Sequence, residues 1–221
     1  MTEPLTKNEL EEVSSNYSGK HAPREVHSKL VPRLPKIKEE LLNWFEEALL
    51  NDSKKWFAAG LLSMSPQSCK PLKKALLRAA IIEENPSFNR NFITPLCAVM
   101  TYSEAINSMF EMIDSNNPAE VAGVSNASYW VRIELGESDD IEARTQLNVW
   151  KIDRFLNLID VYARRTLIAG MSFDKAFVPA KYREKINRVI ELARNHEDEY
   201  IRHRLEIELG SSSGPFRSIS D

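Results

Sequence analysis

Asn51-Asp52-Ser53-Lys54-Lys55-Trp56-Phe57-Ala58-Ala59-Gly60-Leu61-Leu62 decides the fold, because its pattern returns twice further along the chain. Asn85-Pro86-Ser87 leads into Phe88, Asn89, Arg90, Phe92, Ile93 and Leu96. Asn117-Pro118-Ala119 leads into Val121, Ala122, Val124, Ala127, Tyr129 and Trp130. The starts lie 34 and 32 residues apart, and each follows a segment with helical spacing of apolar residues. A fixed period of this length, built from one helix, a polar turn and a second helix, is the pattern of helix pairs stacked side by side.

Outward from that stretch, Lys36 to Leu50 carries Ile37, Leu41, Leu42, Phe45, Ala48 and Leu49 at three- and four-residue steps, with charged residues opposite. Asn51-Asp52 ends this helix and caps the next, Ser53 to Ser63, whose apolar residues on most sides predict a helix sandwiched between neighbours. Pro71 to Glu83 with Phe88 to Met100 forms a second pair, Pro95 kinking its partner helix or delaying its start. Ser103 to Asp114 with Ala119 to Leu135, closed by Gly136, forms the third.

After Gly136 the register changes. Ser138-Asp139-Asp140 caps a segment from Ile141 to Ala169 that exceeds a usual globular helix and bends or holds two. A loop from Gly170 to Pro179 keeps Phe173, Phe177 and Val178 packed down. Ala180 to Arg194 and Tyr200 to Leu209, the latter stopped by Gly210, close the fold. Residues 1–34, broken by four prolines with Pro35, read as a partly irregular arm with a short helix at Lys7–Val13, Thr6 its N-cap and Glu9 completing a capping box. Residues 35–210 form the repeat domain and 211–221 a flexible tail.

Helix pairs of this period joined by an Asn/Asp-Pro turn resemble HEAT-type repeats and their armadillo-like relatives. The resemblance covers residues 36–135 well and 180–209 loosely, where Asp198 and Arg202 occupy positions at which HEAT units carry a paired Asp and Arg. It implies an all-α fold, a short right-handed α-solenoid of antiparallel helix pairs with an atypical C-terminal half. Relatives of this kind mostly bind protein, so the implied function is a non-enzymatic scaffold gripping a protein or peptide on its concave face. The second helices line that face, which places Trp56, Arg90, Tyr129, Trp130 and Arg132 as partner-binding residues; aromatic and arginine side chains anchor interfaces. The alternative is a nucleic-acid-binding relative similar to the HEAT-like alkylpurine DNA glycosylases, with Trp56, Trp130, Arg132 and Glu134 in the groove. A homodimer that covers its own surface is a third reading.

Chemistry beyond binding finds little to stand on. With 29 basic and 32 acidic residues the net charge is −3, which gives no global pull toward nucleic acid or anionic lipid. No nucleophile elbow, phosphate-cradling glycine loop, HExxH or paired-cysteine cluster occurs, so the expectation is no cofactor, no metal and no catalytic residue. His21, His27, His196 and His203 read as dispersed histidines. Cys69 and Cys97 read as buried reduced thiols, and Lys70, Lys73, Lys74 and Arg78 as a solvated convex face. Met1-Thr2-Glu3-Pro4 has neither the basic region nor the apolar core of a signal peptide. No apolar run approaches the ~20 residues that cross a bilayer. The expected setting is the cytoplasm.

Overall fold

A computed structural model of the chain describes residues 3–34, 39–114, 116–135 and 140–211, and among these it is all-helical. The arm holds α1 (Lys7–Ser15) and α2 (Arg24–Leu30). Five pairs follow: α3 (Glu39–Leu49) with α4 (Lys55–Ser63), α5 (Lys73–Ile82) with α6 (Arg90–Cys97), and α7 (Tyr102–Met112) with α8 (Pro118–Leu135). The last two are α9 (Ile141–Asn157) with α10 (Val161–Ile168), and α11 (Arg183–Arg194) with α12 (Glu199–Ser211). Helices within a pair pack together. First helices pack on first helices, α3 on α5, α5 on α7, α7 on α9 and α9 on α11. Second helices do the same from α4 through α6, α8 and α10 to α12.

The recurring asparagine has one job at each of its three positions. Its side-chain Oδ1 accepts the backbone N–H two residues on: Asn51 from Ser53 at 2.9 Å, Asn85 from Ser87 at 3.1 Å, Asn117 from Ala119 at 3.1 Å. This Asx turn reverses the chain between helices without a glycine. Asn51 thus closes the turn rather than capping α4, whose N-cap Lys54 makes no side-chain capping bond. The next two turns use aspartate as a true N-cap, Asp160 accepting from Ala163 at 2.8 Å and Asp198 from Ile201 at 3.1 Å.

Asp160 resolves the long segment Ile141–Ala169: it is two helices broken at residues 158–160, and these are the pair that joins Asn117 to Asp198. Other boundaries shift for local reasons. Pro66–Leu72 is a 3-10 segment ahead of α5, and Pro95 leaves α6 at eight residues. Gly210 does not stop α12, which runs through it to Ser211. The arm is more regular than its prolines predict. Thr6 caps α1 by accepting from Glu9 N–H, but the Glu9 carboxylate turns to Arg33 instead of completing a capping box. The expected start of the first paired helix at residues 35–38, with Ile37, the stop at Gly136, the Ser138-Asp139 part of the cap and the tail beyond Ser211 lie outside the described residues.

The core forms two clusters. One runs from the arm (Leu5, Leu10, Leu30, Leu34) through Trp44, Phe45, Phe57 and Phe92 to Val131 and Leu147. The second joins Val121, Ile152 and Phe155 to α10–α12 through Phe173, Ile186 and Leu205, and Trp150 packs against both. Helix α8 sits where they meet, so its residues 121–125 are buried. Close approach requires Gly123: a Cβ there would lie 1.8 Å from the Ile81 carbonyl oxygen on α5. Asn89, fully buried, donates to the carbonyls of Ala80 and Glu83 and so satisfies backbone acceptors at the end of α5. No helix of the described residues is long and apolar enough to cross a membrane.

Candidate functional site

Four of the five predicted residues come together on α6 and α8. Arg90, at the start of α6, donates from Nε to Glu134 Oε1 at 2.6 Å, and its guanidinium lies 5.4 Å from the Trp130 ring. Trp130 Nε1 donates to the Pro86 carbonyl at 2.7 Å, which fixes the indole against the turn before α6. Tyr129 meets Trp130 edge-on at 5.3 Å, and the Arg132 guanidinium stands 5.6 Å from the Tyr129 ring. The result is a ledge of two adjacent aromatic rings on the last two turns of α8, flanked by Arg132 and by Arg90 of α6, with Tyr129 45% exposed. Glu134, the acid required by the nucleic-acid alternative, is held in the ion pair with Arg90.

Trp56 does not join this ledge. Its ring stacks on Phe92 (5.5 Å), meets Phe88 edge-on (5.2 Å) and faces His21 of the arm (5.2 Å). It fills the space between α4, α6 and the arm, where Lys55 Nζ sits 4.9 Å from the ring and bonds Asp52 and Glu83 at 2.8 Å each.

The ledge continues into a groove that sequence reading did not identify. Asn126 is one helical turn before Trp130, so the two share a face of α8. Asn126 lines a cavity of about 610 Å³ together with Asn117, Ile82 and Tyr162. Tyr162, at the start of α10, reaches across to donate to the Glu84 carbonyl at 3.3 Å while its ring stays 47% exposed. Ile82 is exposed at 43%. The only sequence signal for this groove is that Val161-Tyr162 directly follows the N-cap Asp160, a position readable only once the break in 141–169 is known.

The remaining candidates are engaged structurally. Asp198 does not pair with Arg202: it bonds Arg165 of the preceding second helix at 2.5 Å, while Arg202 donates to the carbonyls of His196 and Glu197. The brace between consecutive pairs is therefore Arg165–Asp198, and that bond holds the Asp198 carboxyl below the usual carboxylate range. His196 Nε2 lies 3.2 Å from Arg164. Cys69 and Cys97 are free, and burial pushes both thiols up to about 12, so neither is a thiolate nucleophile at neutral pH. Arg78 leaves the basic row to bond Glu120 of α8 at 2.7 Å. Among the described residues no group of three His, Cys, Asp or Glu side chains is placed to hold a metal ion.

This arrangement defines an all-helical protein with a partly apolar, arginine-bearing strip along one helix. No family model, curated protein or solved structure matches the chain.

Proposed function

We propose that the chain is a non-enzymatic HEAT-like scaffold, a short α-solenoid, that binds an extended protein segment along the exposed side of α8. The observation that carries this reading is the continuity of groove and ledge. Ile82, Tyr162 and Asn126 line the groove, and Asn126 lies one helical turn from Trp130, the ledge residue against which Arg90 stands. Exposed aromatics supply contact area at low entropic cost, and the Asn126 amide of the groove offers a donor and an acceptor to a peptide backbone. Arginines at the ledge favour acidic residues at one end of the bound segment. The stacking of first helices on first helices and second on second supports the solenoid reading. The Arg90–Glu134 ion pair counts against the glycosylase-like alternative, which needs that acid unengaged.

Panning a random peptide library on the immobilised full chain tests the proposal. Enriched peptides should share an apolar residue beside acidic ones. Their binding should fall at least tenfold in Tyr162→Ala and in the Arg90→Glu, Arg132→Glu double variant, with unchanged melting temperature. The absence of a common sequence, or equal binding by these folded variants, refutes the strip as the docking surface. Tight, salt-dependent binding of duplex DNA would shift the reading to nucleic acid. A dimer by light scattering that Tyr162→Ala dissociates would make the bound segment a second copy of the chain.

A further inference from the structure

Lysine is among the residues least often buried, and a buried one ordinarily meets a carboxylate. Lys151, on the inner side of α9, is 3% exposed, and its one hydrogen bond among the described residues goes to a backbone carbonyl, Gly170 O at 3.0 Å. The contact is close enough that a Cβ on residue 170 would lie 2.5 Å from the Lys151 Nζ. Around it lies a cleft of about 60 Å³ between α8, α9 and the loop 170–178, with Tyr102 of α7 at its edge. Two arginines share that lining, Arg132 from α8 and Arg144 from α9, and among the described residues no acidic side chain does. Neither guanidinium has a carboxylate at ion-pair distance among the described residues. Arg144 lies 4.0 Å from the Phe177 ring and Arg132 stands by Tyr129. Glu208 of α12 acts on Lys151 through space but is bonded to Arg204 at 2.7 Å. Burial and the nearby Arg132 push the Lys151 ammonium down to about 7, as expected of a buried cation with no directly bonded carboxylate among the described residues; Glu208, which also acts on Arg132, offsets this only in part.

The walls are built rather than incidental. Asn148, one helical turn before Lys151 and 4% exposed, accepts from Ser172 N–H at 2.8 Å and donates to the carbonyls of Ser172 (2.9 Å) and Phe177 (3.0 Å). It clamps the loop over the cleft. The space accommodates a few water molecules or one small oxyanion.

We propose that this cleft binds a tetrahedral oxyanion of the phosphate class, with Arg132, Arg144 and Lys151 as its ligands and the Ser128 hydroxyl and Tyr129 at its border. The anion is either free or the terminal group of a small phosphate ester. Lys151 is buried, Arg144 half-buried and Arg132 exposed, so the inner end of the site binds such a group more strongly than surface lysines do, because the buried cation there is not hydrated. This inference stands apart from the peptide strip, which it meets only at Tyr129 and Arg132.

Calorimetric titration of the full chain at constant ionic strength tests it, with inorganic phosphate, sulfate, adenosine monophosphate and acetate as probes against a chloride background. Phosphate and sulfate should bind, and Arg144→Gln and Lys151→Met should each weaken them at least tenfold while Arg90→Gln leaves them unchanged. Adenosine monophosphate binding more tightly than phosphate identifies an ester; phosphate binding alone identifies the free ion. Acetate binding in preference to phosphate, equal losses in all three variants, or no heat above the chloride background overturns the proposal. Arg144 is half-buried at the cleft rim, so Arg144→Gln decides the matter should Lys151→Met fail to fold.

Discussion

Replacing Lys151 with methionine should stabilise the protein, and by an amount that depends on pH in a calculable way. Methionine keeps the length and most of the volume of the lysine stem, so the core around α9 keeps its packing. What it removes is the need to strip a proton or bury a charge. In the unfolded chain the ammonium titrates at 10.5; in the folded chain burial, then the neighbouring Arg132, brings it to about 7. Between those values the unfolded state holds a proton that the folded state lacks, so stability of the parent rises with pH across this window and is lowest below it. The interval spans some three and a half pH units at about 1.4 kcal/mol each. The parent therefore carries a penalty of about 4 kcal/mol at pH 7 and about 1 kcal/mol at pH 10. Methionine carries none at either pH. The lost bond to Gly170 O costs about 1 kcal/mol at both and cancels in the comparison.

Urea denaturation in a buffer free of phosphate and sulfate, run on both proteins at pH 7 and pH 10, measures the difference. The advantage of Lys151→Met over the parent should shrink by about 3 kcal/mol between the two pH values. Other lysines and the tyrosines titrate alike in both proteins and drop out. An advantage that stays the same from pH 7 to pH 10 would show that the folded ammonium titrates normally. It would therefore be solvated or paired, and the counter-charge argument for the cleft would fall with it.

Two further outcomes follow from geometry already described. Gly123→Ala drives a methyl into the Ile81 carbonyl, backbone against backbone with no flexible end to yield. It should cost about 3 kcal/mol or more and lower the melting temperature by roughly 10 °C by scanning calorimetry, and a melt within a degree or two of the parent would mean α5 and α8 stand further apart. Asp198→Asn tests the brace at the last turn. The Asp198 carboxyl is held below its ordinary 3.8 chiefly by the Arg165 hydrogen bond, so its contribution is present above about pH 4 and lost as pH falls through the folded value. The variant should be less stable at pH 6 and converge on the parent in acid melts as the folded carboxyl protonates; a constant gap would assign the loss to shape alone.

How much of this could be read from residues depends on what marks each feature. The three asparagines at 51, 85 and 117 were legible because an Asx turn advertises itself in sequence, and they fixed the pairing of helices. The turn at residues 158–160 was hidden, since Leu158 and Ile159 continue the apolar spacing of α9. Ile159 is in fact 86% exposed, and only Asp160, three residues ahead of Ala163, betrayed the break. The ledge was legible in part. Arg90, Tyr129, Trp130 and Arg132 were singled out by type and do meet, whereas Trp56 is an equally suggestive residue consumed by packing with Phe88, Phe92 and the arm. Lys151 and Asn148 were missed although they fall on the same inner stripe as Leu147, Ile152 and Phe155. A cation and an amide on an apolar stripe are the sequence mark of a buried polar site, but periodicity counts only apolar residues and passes over them.

The arm has a bearing on how such a chain can lengthen. Glu11 on α1 accepts from the Trp44 indole at 2.9 Å and from Lys54 at 2.6 Å, bolting the arm to both helices of the leading pair. His27 of α2 seats its ring against Gly60, where even a methyl would come within 2.5 Å of it. The flank that another helical unit would need is already plugged. Any helix packed on that flank would first have to displace the arm from Trp44, Lys54 and Gly60.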